Sequence, residues 1–129
     1  MKQVLIIDDS KQIRERVATL LTESGQVRIV GTAGNGESVM DAIKQLAPDT
    51  VILDIELPDI SGIKILKAIK NDYPQVTVIM LTNYDLMLYR KLCKQLGADY
   101  FLNKTREINK IVPTVTGHAG VDAQDDSLT

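Results

Sequence analysis

Cysteine and bulky aromatics are scarce here: one cysteine (Cys93), one phenylalanine and no tryptophan among 129 residues. A lone cysteine excludes an internal disulfide and fits a reducing, cytoplasmic setting. Cys93 falls in a helical pattern and reads as a small packed residue, not a nucleophile. No stretch approaches the ~18 apolar residues that mark a membrane span. The start, MKQVLIIDD, runs straight into a strand pattern without the layout of a signal peptide. Neither charge sign is in excess: 15 Lys and Arg stand against 17 Asp and Glu, a formal −2. That balance favours neither a nucleic-acid nor a membrane surface. What is present, 44% hydrophobic and 25% charged residues, is ordinary for one globular domain.

The chain alternates between two patterns. Residues 4–7 and 51–53 are continuous apolar runs and 76–81 is strongly apolar, the mark of strands covered on both faces. Residues 26–33 and 99–102 read as less buried, outer strands. Between them lie helical faces. Ile13, Val17, Leu20 and Leu21 follow a cap at Ser10 or Asp9 and stop at Ser24-Gly25. Val39, Ile43 and Leu46 mark a second helix, ending before Pro48. A third has Ile63, Leu66 and Ile69 inward and Lys64, Lys67 and Lys70 on a solvated side. The fourth, 86–96, is expected to be capped by Asp85, with Leu88, Leu92 and Leu96 inward. Leu86, Met87 and Tyr89 then face either the core or a partner. The last helix is expected to be capped by Thr105, carries Ile108, Ile111, Val112 and Val115, and is kinked or shortened by Pro113. A polar stretch from 116 to 129, with the lone His118, reads as a disordered tail, leaving 1–115 as the folded domain.

Strand then helix, five times over, predicts an α/β fold with a mostly parallel sheet and helices on both faces. That pattern matches a flavodoxin-like, doubly wound five-stranded sheet with five helices. The strand order 2-1-3-4-5 is carried over from that class.

In such sheets ligands sit beyond the carboxyl ends of the strands. Here those ends carry Asp8 and Asp9, then Asp54, Thr82 and Lys104. Three carboxylates brought together repel one another, so either a proton is taken up or a cation fills the gap. Oxygen ligands with open positions suit Mg²⁺, which in turn suits phosphate. A carboxylate is also a nucleophile able to form an aspartyl phosphate, and Asp54, alone on a central strand, is the best candidate. Lys104 can offer a point charge and Thr82 a hydrogen bond to phosphoryl oxygens.

Asp8-Asp9, the D-x-x-x-P stretch from Asp54 to Pro58 with Gly62, Thr82 and Lys104 together resemble the receiver domain of two-component response regulators. The resemblance spans about residues 3 to 115. It implies a signalling switch, not a metabolic enzyme. Asp54 would accept a phosphoryl group from a histidine kinase or phosphotransfer protein. Asp9, Asp54 and the backbone carbonyl of Glu56 would bind Mg²⁺, with Asp8 assisting. Lys104 and Thr82 would hold the phosphoryl group, and Thr82 and Phe101 would form the switch. The readout would be a partner contact or homodimer on the face of the fourth helix, fifth strand and fifth helix. The downstream partner would be a separate protein or an output domain no longer attached. Family members usually carry proline after the lysine. Thr105 stands there, so the Lys104-Thr105 bond is expected to be trans. A metal-dependent phosphohydrolase would need D-x-D after the first strand, and a flavodoxin a Ser/Thr/Gly-rich phosphate loop. The acidic Asp8-Asp9-Ser10 turn suits neither. A degenerate receiver that works without phosphate would not need the intact acid set.

Overall fold

The computed structural model describes residues 1–117. Thr116 and Gly117 end the last helix, and the rest of the expected tail, with His118, lies outside the described residues. Five strands, β1 (Lys2–Ile7), β2 (Val27–Ala33), β3 (Thr50–Leu53), β4 (Thr77–Thr82) and β5 (Tyr100–Asn103), form one parallel sheet in the order β2-β1-β3-β4-β5. They alternate with α1 (Lys11–Glu23), α2 (Val39–Leu46), α3 (Gly62–Asp72), α4 (Met87–Gln95) and α5 (Ile111–Thr116). A 3-10 turn, Ile108–Lys110, leads into α5. No described helix is long and apolar enough to cross a membrane.

The apolar runs are continuous because successive side chains enter different cores. Leu5, Ile7, Val51, Leu53, Met80 and Phe101 pack on one side of the sheet with residues of α2, α3 and α4. Val4, Ile6, Ile52, Ile79, Leu81 and Leu102 pack on the other with residues of α1 and α5. Fully burying one such side chain contributes about 1.5–3 kcal/mol. Pairing of β1 with β2 is interrupted between Val4 and Leu5, where Val30 is the extra residue. Val27 and Ile29 pack on the α1–α5 side, Val30 and Ala33 both on the α2–α3 side, so the period of two along β2 fails after Val30.

Four local expectations are corrected. Asp85 does not cap α4: the capping position is Leu86, with no side-chain bond, and Asp85 is drawn instead to Arg90, Asn103 and Arg106. Thr105 does not cap α5, which starts at Ile111; its hydroxyl donates to Asn83. Pro113 consequently sits in the first turn, where its missing N–H is harmless. Lys70 is not a solvated lysine. Its ammonium bends back to the Val76 carbonyl (2.6 Å) and Asp99 (2.8 Å). Leu88 is 68% exposed, whereas Tyr89, Cys93 and Leu96 face the core. The inward stripe is thus one residue away from the leucine spacing at Leu88 and Leu92, while Leu96 is inward as expected.

Candidate functional site

The site is built where the connections leaving β1 and β3 diverge. Ile7 pairs with Leu53, and the Asp54 amide donates to the Ile7 carbonyl at 3.1 Å. Asp8 and Asp54 thus emerge side by side, at the crevice between adjacent strands whose helices lie on opposite faces. Ser10 caps α1 through a 3.3 Å bond from the Ile13 amide, so the Asp9 carboxylate is left to the site. Oxygens of Asp8, Asp9 and Asp54 lie within 4.8 Å of one another. Asp8 and Asp54 are buried and Asp9 is exposed.

Gly62 shapes the loop that follows Asp54. Its amide donates to the Ile55 carbonyl, and an added Cβ would lie 1.9 Å from the Asp54 carbonyl oxygen. Only a residue without a side chain allows that approach. Asp59, which the sequence reading did not single out, accepts the Gly36 and Glu37 amides at 2.8 Å each and ties this loop to the one after β2. Those amide bonds, that from Gly36 first, hold its carboxyl below the ordinary range.

Lys104 arrives from β5. Its ammonium lies 2.8 Å from Asp8 Oδ2 and 2.7 Å from Asp54 Oδ2. The remaining oxygens are held by backbone: Asp8 Oδ1 accepts from Ser10 and Asp54 Oδ1 from Glu56. Burial pushes the Asp8 carboxyl up, against the lowering influence of Lys104 and its own bond from Ser10. Burial works to lower the Lys104 ammonium, but the bonds and charges of Asp54 and Asp8 outweigh it and the group is raised. Thr82 is fully buried, and its hydroxyl oxygen accepts the Tyr84 amide at 3.1 Å. Its proton remains available as a donor. The arrangement is a cleft with hard oxygen ligands, an ammonium and a hydroxyl, a donor set that suits a magnesium ion and a phosphoryl group.

Residues 4–116 match the family model of the response regulator receiver domain. The chain belongs to the response regulator receiver family. Among curated relatives, the receiver chain is 34% identical to the transcriptional regulatory protein LnrK of Bacillus subtilis over 122 residues, 93% of this chain and 55% of that protein. It is 40% identical over 80 residues to a protein-glutamate methylesterase/protein-glutamine glutaminase of Trichodesmium erythraeum, 62% of this chain and 23% of that protein. The chain thus spans between about a quarter and just over half of such relatives. Among solved structures it superposes on a chain of the CheX-CheY-BeF3-Mg²⁺ complex of Borrelia burgdorferi with a TM-score of 0.84 and 30% identity, covering 90% of this chain and 87% of that one. The signal receiver domain of NarL from Mycobacterium tuberculosis gives a TM-score of 0.82 at 30% identity, covering 93% of this chain and 97% of that one.

Of the residues expected at the receiver site, Asp8, Asp9, Asp54 and Lys104 are brought together. Thr82 stands on the neighbouring strand, its carbonyl accepting the Lys104 amide at 3.0 Å. Glu56 contributes its backbone amide to Asp54. Phe101 is fully buried beneath the Arg90 guanidinium, 4.7 Å from the ring centroid. At the mouth, Tyr84 meets Tyr89 with ring centroids 4.5 Å apart. The hydrogen bond between their hydroxyls, and more weakly the charge of Glu56, pushes the Tyr84 phenol up. No peptide bond among the described residues is cis, so Lys104-Thr105 is trans.

The sequence reading missed a second polar cluster beside the site. Asp85, Arg90, Asn103, Arg106 and Glu107 form it. The side-chain preference of Asp85 points to a helix cap instead. The available signal was the absence of proline after Lys104, which leaves the loop to be fixed by other means.

Proposed function

We propose that this receiver takes a phosphoryl group on Asp54 from a histidine kinase or phosphotransfer protein, with Mg²⁺, and changes its partner-binding surface in response. The observation that carries the proposal is the Lys104 ammonium shared between Asp8 and Asp54. It holds two buried carboxylates in reach of one incoming group and supplies a charge for it.

An Asp54 carboxylate oxygen attacks phosphorus as the phosphorus–nitrogen bond to the donor histidine breaks, and the imidazole takes a proton. Glu56's amide fixes the Asp54 carboxylate plane. Lys104 turns from the carboxylates to a phosphoryl oxygen, a charge-assisted bond. Thr82 donates its hydroxyl proton to a second oxygen while still accepting from Tyr84. Asp8, Asp9 and Asp54, with the Glu56 carbonyl, would hold the metal, which neutralises phosphoryl oxygens when bound. The phosphoryl group carries about 1.5–2 negative charges where the carboxylate carried one, beside Thr82 and Lys104, and the loops bearing them rearrange. Thr82 and Phe101 are the switch residues. Leu86, Met87 and Leu88, 57%, 64% and 68% exposed, offer an apolar surface next to those loops for a target or a second copy of the chain. Crosslinking with and without a phosphoryl analogue separates these two occupants.

The decisive experiment is intact mass after incubation with acetyl phosphate and Mg²⁺. Wild type gains one phosphoryl group and Asp54→Asn gains none. Equal labelling of both, or labelling of neither, defeats the proposal.

A further inference from the structure

Two loops carry the groups that would grip the phosphoryl: Thr82 precedes one and Lys104 the other. Three hydrogen bonds join them directly. The Lys104 amide donates to the Thr82 carbonyl at 3.0 Å. Thr105 donates its amide (3.1 Å) and hydroxyl (2.9 Å) to Asn83 Oδ1. The Asn103 side chain caps the turn around Lys104, its Oδ1 accepting the Thr105 and Arg106 amides at 3.0 and 2.8 Å. What holds that amide in place is Asp85: Asn103 Nδ2 donates to Asp85 Oδ2 at 3.0 Å. Asp85 also accepts from Arg90 and Arg106, and Arg90 reaches on to Glu107. Glu107 in turn accepts the Asn103 amide at 2.9 Å. The Asp85 side chain is only 8% exposed.

Resting on the phosphoacceptor reading, we infer that Asp85 is a positioning residue: through Asn103 it fixes the turn that presents Lys104, and it locks that turn to the Thr82 loop. With threonine at 105 this turn has no proline ring to stiffen it, and the side-chain network takes over that task. The Lys104 ammonium is drawn to Asp8 and Asp54 at 2.8 and 2.7 Å, and the position of its backbone sets how far the stem can carry it from them to an incoming group. Asp85 touches neither phosphorus nor acceptor. It acts on rate by setting where Lys104 stands, and it makes Thr82 and Lys104 respond together.

The test is a double-mutant cycle on the rate of Asp54 labelling by acetyl phosphate in saturating Mg²⁺. Asp85→Ala is expected to slow labelling about tenfold, a fraction of the roughly 100-fold that a 1 Å misplacement can cost. Lys104→Ala slows it further, and adding Asp85→Ala to Lys104→Ala changes nothing more. Ile69→Val, a core change remote from both loops, lowers the melting temperature without changing the labelling rate. Asn103→Ala runs the same cycle from the other end of the bond if Asp85→Ala does not fold. Labelling of Asp85→Ala at the wild-type rate, or factors that multiply with Lys104→Ala, overturns the inference and leaves the phosphoacceptor reading standing. Failure to label wild type removes both.

Discussion

Two ionic clusters meet the chain at neighbouring residues, Lys104 in one and Asn103 in the other, and they are built on opposite terms. At the strand ends, three carboxylates face one ammonium. In the other, Asp85 and Glu107 face Arg90, Arg106 and Lys110. The carboxyls respond accordingly. Burial drives Asp8 up, while the Arg90 bond leads several that hold Asp85 down at about 2. Asp8 lacks enough cations and Asp85 has more than enough. An under-neutralised cluster is costly when empty and accepts a cation or proton readily. A satisfied one adds rigidity. The difference separates a place for chemistry from the frame that holds it.

The largest effect that could break this contrast comes from Lys104→Ala. Loss of the shared ammonium is expected to slow Asp54 labelling by about 10²–10³-fold, the range for a preorganised donor. It also leaves Asp8 and Asp54 facing each other, and breaking a buried pair costs about 3–5 kcal/mol while the stranded charges persist. Thermal unfolding should show Mg²⁺ recovering part of that loss. Arg90→Ala removes the leading cation of Asp85, leaving it Asn103 and Arg106, leaves Glu107 to Lys110 and the Asn103 amide, and uncovers Phe101. An expected loss of about 2–3 kcal/mol should be indifferent to Mg²⁺. If Mg²⁺ rescues both variants alike, the two clusters do not differ in the way described.

Acid titration of the same variants sharpens the comparison. Asp85 and Glu107 have folded pKa values below their unfolded ones, so their contribution is full above the ordinary carboxylate range and is lost as pH falls, for Asp85 through about 2. The Arg90→Ala deficit should therefore shrink only in strong acid. Asp8 is raised, so its burial penalty grows as pH rises through the window above 3.8 and is relieved by protonation below it. The Lys104→Ala deficit should begin to shrink at higher pH than the Arg90→Ala deficit. Denaturant unfolding across that range reads both curves. Asp9→Asn has the smallest expected effect. It relieves repulsion at an exposed position, stabilising the metal-free protein by about 0.5 kcal/mol, while weakening Mg²⁺ binding about tenfold in calorimetry.

Much of this was legible before any fold was seen. The apolar runs gave β1, β3 and β4 because a strand covered on both faces needs no polar side. Asp8, Asp9, Asp54 and Lys104 were legible for a topological reason: parallel strands end on one edge, so the residue after each run is placed without knowing a single contact. The errors have a common source. Asp85 and Thr105 have side chains that favour helix capping, and local preference assigned them there. In the folded chain each found a stronger partner from another loop. Leu88 followed leucine spacing, yet Tyr89 and Cys93 turned α4 by one residue. Lys70 is charged and was placed outward, but Asp99 and the Val76 carbonyl lie within its reach.

Sequence alone determined the alternation of strands and helices, the charge types at the sheet edge and the identity of the acid on the middle strand, because each depends on local periodicity or chain order. Tertiary structure alone decided that Lys104 bridges Asp8 and Asp54 and that Asp85 joins Asn103. Those choices compare partners distant in the chain, and the shortest charge-assisted bond available in three dimensions prevails over the preference of any short segment.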